Sequence, residues 1–112
     1  MNPKIKRLWV KALESGEYKQ GKGQLRRGAE FCCLGVLCNL HAQAHPEIAA
    51  KQTDPGVYLG CTPLLPLAVT LWAGLKTINP VVTIEGFEAV ISEQNDLGIP
   101  FKQIAKAIRK QL

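Results

Sequence analysis

No stretch of these 112 residues is long and unbroken enough to cross a bilayer. The longest uncharged apolar run, Cys61 to Leu75, is interrupted by Pro63, Pro66 and Gly74, whereas a spanning helix needs about 20 apolar residues. The opening Asn2-Pro3-Lys4 carries no continuous apolar segment of the signal-peptide kind. A cytoplasmic protein is expected, in which Cys32, Cys33, Cys38 and Cys61 stay as reduced thiols that bury like small hydrophobes.

Catalytic and cofactor signatures are equally scarce. Gly21-Lys22-Gly23-Gln24 has no serine or threonine after a lysine, which removes the phosphate loop of nucleotide triphosphatases. Gly21-x-Gly23 lacks the third glycine of a dinucleotide fingerprint. The set Cys32, Cys33, Cys38, His41 and Cys61 contains no CxxC pair, so no metal site is expected, although Cys38-x-x-His41 would put two ligand types one helical turn apart. Cys32 and Cys33 beside Arg26 and Arg27, with His41 and His45 as bases, would suit a nucleophilic thiol. Their apolar neighbours favour core cysteines instead. Glu85, Glu88, Glu93 and Asp96 fit a helix surface better than a general acid/base pair. No enzyme and no cofactor is expected.

What is present is a globular composition, 46% hydrophobic and 21% charged, of a length that suits one domain over residues 1–112. Net charge is +5 and unevenly spread. Lys4, Lys6, Arg7, Lys11, Lys19, Lys22, Arg26 and Arg27 face only Glu14 and Glu17 in the first 28 residues, and the sign reverses between Glu85 and Asp96. Segregated charge of this kind suits an acidic partner. Nucleic acid is one such partner. The few aromatics, Trp9, Tyr18, Phe31, Tyr58, Trp72, Phe87 and Phe101, fall mostly at inward positions and offer no stacking platform.

The densest chemistry lies between Tyr18 and Leu40, where cations and glycines precede an apolar, cysteine-rich run. Lys19, Lys22, Arg26 and Arg27 can neutralise phosphates, Gly21 and Gly23 can present backbone N–H groups, and Tyr18 can stack on a base. These seven residues form the candidate ligand site.

Local signals predict an α+β domain, mostly helical, with four to five helices and a small two- or three-stranded sheet. Asn2 and Pro3 open a helix whose Ile5, Leu8, Trp9, Ala12 and Leu13 share a face and which Gly16 ends. Glu17 to Glu30 is a loop or loose hairpin. Cys32 to Ala44 is a buried helix, with a strand over Phe31 to Leu37 as the alternative. Pro46 to Gly56 is turn-rich, Val57 to Leu59 a short strand, Pro66 to Gly74 a helix and Val81 to Ile84 a strand ending in a tight turn. Phe87 to Asn95 reads as helix, and Pro100 starts the last helix with Phe101, Ile104, Ala105 and Ile108 inward.

Three blocks, Tyr18-x-Gln20-Gly21-x-Gly23-x-Leu25-Arg26, Phe31-Cys32-Cys33-Leu34-Gly35-Val36-Leu37-Cys38-Asn39-Leu40 and Asn95-Asp96-x-Gly98-x-x-Phe101-x-x-Ile104-Ala105-x-x-Ile108, resemble small proteins of unassigned function carried by bacteriophages and prophages. The resemblance implies a phage accessory role in the cytoplasm of a bacterial host. Such proteins disable host defence by sequestering nucleotide signals or by binding an effector protein. The expectation is thus a non-enzymatic, homo-oligomeric protein that holds an anionic nucleotide-type small molecule, with an acidic host protein or nucleic acid as alternative partners.

Overall fold

The computed structural model describes all residues, Met1–Leu112. Helix α1, Pro3–Glu14, begins where Asn2 Oδ1 accepts from the backbone N–H groups of Lys4 and Ile5, the N-cap its sequence predicts. Three two-residue strands follow: β1 (Lys19–Gln20), β2 (Arg26–Arg27) and β3 (Glu30–Phe31). β3 lies in the middle, parallel to β1 and antiparallel to β2. Helix α2, Cys33–Ala44, comes next, then the four-residue α3, Pro46–Ala49, inside the turn-rich segment, and α4, Leu67–Ala73. A hairpin of β4 (Val81–Ile84) and β5 (Phe87–Val90) leads directly into α5, Ile91–Asp96, and α6, Phe101–Gln111, completes the order. The architecture is a single α+β domain with four substantial helices and two small sheets, as expected. No helix is long and apolar enough to cross a membrane.

α2 is the central element. Cys33, Leu34, Val36 and Leu37 are fully buried, consistent with a helix that is apolar nearly all round. α1 packs on it, and Trp9 donates its indole N–H to the Cys33 carbonyl at 2.9 Å, so the largest core side chain enters with its polar atom satisfied. α6 lies along α1, and its Ile104 and Ile108 join Trp9, Leu34 and Leu37 in one continuous core. Gly35 fixes how closely α2 can approach the preceding chain. A Cβ there would sit 1.7 Å from the Leu25 carbonyl oxygen, a separation no side chain can occupy.

Two local expectations are corrected. Phe87 to Val90 is strand rather than helix: Glu85 (φ 51) and Gly86 (φ 79) both adopt positive φ, making a two-residue hairpin turn that pairs Ile84 with Phe87 and Val82 with Ala89. The helix starts at Ile91, where Asn79 Oδ1 accepts from the Ser92 N–H. Val57 to Leu59 is likewise no strand. Leu59 (φ 49) and Gly60 (φ 83) form a tight turn closed by the Tyr58–Cys61 backbone pair alone.

Candidate functional site

The three motif blocks meet at one buried side chain. Asn95 is fully buried; its Oδ1 accepts from Gln20 Nε2 and from the Cys33 N–H, both at 3.1 Å, and its Nδ2 donates to the Gly21 carbonyl at 2.8 Å and to Asp96 Oδ1 at 3.2 Å. Gln20 extends the network. Its Nε2 also donates to the Ile99 carbonyl, and its Oε1 accepts from the Phe101 N–H at the start of α6. Gln20-Gly21, Cys33 and Asn95-Asp96 thus each supply one part of a clasp joining β1, α2, α5 and α6.

That clasp uses the groups expected to face a ligand. The Gly21 N–H donates to the Phe31 carbonyl at 2.7 Å, and the Gly23 N–H donates to Asp96 Oδ1 at 3.0 Å. A Cβ on Gly21 would lie 2.8 Å from that of Glu30, so this glycine serves the close approach of two strands. Neither glycine presents a free backbone donor, and a carboxylate already occupies the second. Tyr18 is engaged as well: its hydroxyl accepts from Asn39 Nδ2 at 2.7 Å, and its ring meets Phe31 edge-on at 5.1 Å.

The four loop cations do not converge. Lys19 pairs with Glu30 at 3.5 Å, an exposed contact of small energetic weight. Lys22 and Arg27 point to solvent. Arg26 alone borders a concavity. Its Nε donates to the Gly28 carbonyl at 2.9 Å and its guanidinium lies 4.8 Å from the Phe31 ring centre, which holds the group in place and leaves its two terminal nitrogens without a protein partner.

Beside Arg26 a narrow cavity of about 40 Å³ reaches Asn39, Gln52 and Tyr58. Gln52 and Tyr58 also line a larger open cleft of about 380 Å³, with Ile48, Lys51, Val57 and Leu59 among its other walls. Its size falls within the range of small-molecule sites. The cleft is ordered by its own side chains: Gln52 Nε2 donates to the Asp54 and Val57 carbonyls, and Asp54 Oδ1 accepts from the Gly56 N–H. Leu59, held at positive φ on the rim, is a strained backbone position of the kind that clusters at ligand clamps. Sequence reading missed Lys51, Gln52 and Leu59, since an isolated lysine in a turn-rich segment carries no pattern.

Behind Tyr58 lies an aromatic cluster. Its hydroxyl is 2.6 Å from His41 Nδ1, His41 stacks on His45 at 4.1 Å between ring centres, and Trp72 meets both imidazoles edge-on. Burial lowers the His41 pKa, with the neighbouring His45 adding to the effect, while burial raises that of Tyr58 to about 12. Burial also lifts the thiols of Cys32, Cys33 and Cys38, the reverse of what an activated nucleophile needs. All four cysteines are free, and no three His, Cys, Asp or Glu side chains gather as metal ligands.

These features define a small α+β domain with an internal clasp and, beside Arg26, two neighbouring concavities that share Gln52 and Tyr58 as walls. Over residues 1–112 the chain belongs to the family described as Domain of unknown function (DUF8296). No curated protein matches the chain, and no solved structure does.

Proposed function

We propose that the protein is a non-enzymatic binding protein that holds an anionic, nucleotide-type small molecule across the two neighbouring concavities walled by Gln52 and Tyr58, with Arg26 at one and Lys51 at the other. The observation that carries this reading is the position of Arg26. It is the one loop cation that lines a cavity, and its terminal nitrogens are free to fork onto a phosphate. The cleft of about 380 Å³ beyond it has the room and the apolar walls, Ile48, Val57 and Leu59, for a base or ribose, and Lys51 supplies a second cation. Thiols with raised pKa values favour binding over covalent chemistry. Lys19, Lys22 and Arg27 take the lesser role of raising local anion concentration. The resemblance to phage-borne proteins supports an accessory role in which keeping such a ligand from a host receptor is itself the activity.

Titration calorimetry at low salt against linear, cyclic and NAD-derived nucleotides tests the proposal. Wild-type protein should bind at least one of them, Arg26→Ala and Lys51→Ala should each weaken it about ten-fold or more, in line with loss of a charge-assisted hydrogen bond, and Arg27→Ala should not. Absence of heat with every nucleotide refutes it.

A second reading, direct inhibition of a host protein, is favoured by Leu67 and Leu71. They stand one turn apart on α4 and are 67% and 69% exposed, an apolar pair suited to a protein contact or to a second copy of the chain. Sedimentation of wild type and Leu71→Asp separates self-association from the search for a foreign partner.

A further inference from the structure

Folding brings together two basic helices that lie at opposite ends of the sequence. α1 and α6 lie side by side although nearly the whole chain separates them. Together they carry Lys4, Lys6, Arg7, Lys11, Lys102, Lys106, Arg109 and Lys110, eight of the fourteen Lys and Arg residues, and only Glu14 of the nine carboxylates, although Lys106 and Lys110 line a second cleft beside Glu85 of the β4–β5 turn. The remainder of the molecule holds six cations against eight carboxylates and is net negative. The Gly/Lys/Arg loop belongs to that balanced remainder. Its Lys19 meets Glu30, and Asp96 sits on Gly23.

Where the two helices meet, a shallow cleft of about 290 Å³ is lined by Lys6, Arg7, Lys11 and Arg109, with Val10 and Glu14. Arg109 is held there by Glu14 at 2.9 Å, both side chains being well exposed. Lys4, Arg7 and Lys11 repeat at helical spacing and span about 10 Å along α1 at 1.5 Å per residue. That length matches about three steps between successive phosphates of one strand, roughly four phosphates, which advance about 3.4 Å each along a duplex.

We infer that the α1–α6 face is a docking surface for the phosphate backbone of double-stranded nucleic acid, separate from the concavities beside Arg26. The chemistry of the patch selects this partner. Apart from Leu8, no large apolar side chain on the two helices is exposed. An acidic protein would need an apolar interface core and a membrane surface would need an apolar wedge, whereas backbone contacts need neither. Because Trp9 and Phe101, the aromatics of the two helices, are buried, no platform exists for the bases of a single strand. Binding through phosphates alone is independent of sequence and strongly dependent on salt. Glu14 restrains the site by occupying Arg109.

The test is fluorescence anisotropy of a labelled 20-base-pair duplex, with circular dichroism to confirm that each variant is folded. Wild type should bind at 50 mM salt, and four phosphate contacts imply roughly a hundred-fold weaker affinity at 200 mM. Arg7→Glu combined with Lys11→Glu should abolish binding. Lys22→Glu combined with Arg27→Glu, the same change of charge in the loop, should leave it within about two-fold. Glu14→Gln frees Arg109 and should tighten binding several-fold, while Glu47→Gln should not. Failure to bind at 50 mM overturns the inference. So do equal losses in the two double variants, equal gains from Glu14→Gln and Glu47→Gln, or equally tight binding of polyaspartate or anionic vesicles. None of these outcomes bears on the nucleotide titrations, which read a different surface.

Discussion

Removal of the Asn95 amide is the sharpest probe of what joins the motifs. Asn95→Ala deletes four hydrogen bonds at a fully buried position. The Cys33 N–H and the Gly21 carbonyl would then be left without these partners, and each buried unsatisfied group costs about 1–3 kcal/mol. Gln20 keeps its contact with the Ile99 carbonyl, and Asp96 lies at the surface, so their losses are smaller. The expected destabilisation is about 3–5 kcal/mol, a large share of the roughly 5–15 kcal/mol typical of a whole domain. Urea unfolding should show the midpoint falling with an unchanged slope, since the surface exposed on unfolding stays the same. Hydrogen exchange should quicken at Cys33 and Phe101, the amides at the starts of α2 and α6. A loss below about 1 kcal/mol would mean that water replaces the amide without penalty, and the clasp would then not be what joins the three segments.

Gly35→Ala should be at least as damaging, about 3 kcal/mol or more from overpacking, because the Leu25 backbone lies where the methyl group must go; thermal unfolding measures it, and a wild-type melting temperature would contradict the packing described. His41 has a folded pKa below its usual 6.5, so the unfolded chain takes up the proton first: the contribution of neutral His41 is complete above about pH 6.5 and is lost as pH falls toward the lowered value. His45, Tyr58, Trp72 and Glu47 face or influence this group, and His41→Asn should flatten the pH dependence of stability between pH 7 and 5, whereas an unchanged profile would assign it to other groups. Thiol titration of the native protein should modify Cys61 first, the one cysteine that is not buried, and reach Cys32, Cys33 and Cys38 only on unfolding; rapid labelling of Cys33 would revive a catalytic thiol. Gln111 bonds both the N–H and the carbonyl of Thr83 at 2.7 Å, and Gln111→Ala should cost about 0.5–1.5 kcal/mol by chemical denaturation, a change absent if those groups are satisfied by water.

Helices α1, α4 and α6 were legible because each declares itself locally, whereas the apolar run of α2 left a strand over Phe31 to Leu37 open. Asn2-Pro3 and the inward spacing of Ile5, Trp9 and Leu13 need only neighbouring residues to be read, as do Gly74 after α4 and the Phe101–Ile104–Ile108 stripe. The segment Phe87 to Val90 was misread since its four residues satisfy helical and extended patterns alike. Pairing with Val81 to Ile84 decides between them. The candidate site fared less well for a related reason. A run of cations and glycines shows which charges are close in sequence, but not that Glu30 and Asp96 return to meet them or that Gly21 is needed for strand contact. Nor does the run show that Phe31 and Gly28 hold Arg26 at the edge of a cavity. The basic faces of α1 and α6 could each be read from helical spacing, but not that the two lie side by side, since they are about a hundred residues apart in the chain.

That same separation governs when the molecule can become itself during synthesis. Trp9 and Leu13 are made well before the side chains of α6 that help cover them, which leave the ribosome roughly ninety residues later, and Gly21 waits 74 residues for Asn95. A nascent chain halted before residue 95 has neither its clasp nor the helix that shields its first apolar face. The domain can close only once the segment through Gln111 has emerged, and fragments ending sooner would be substrates for chaperones and proteases.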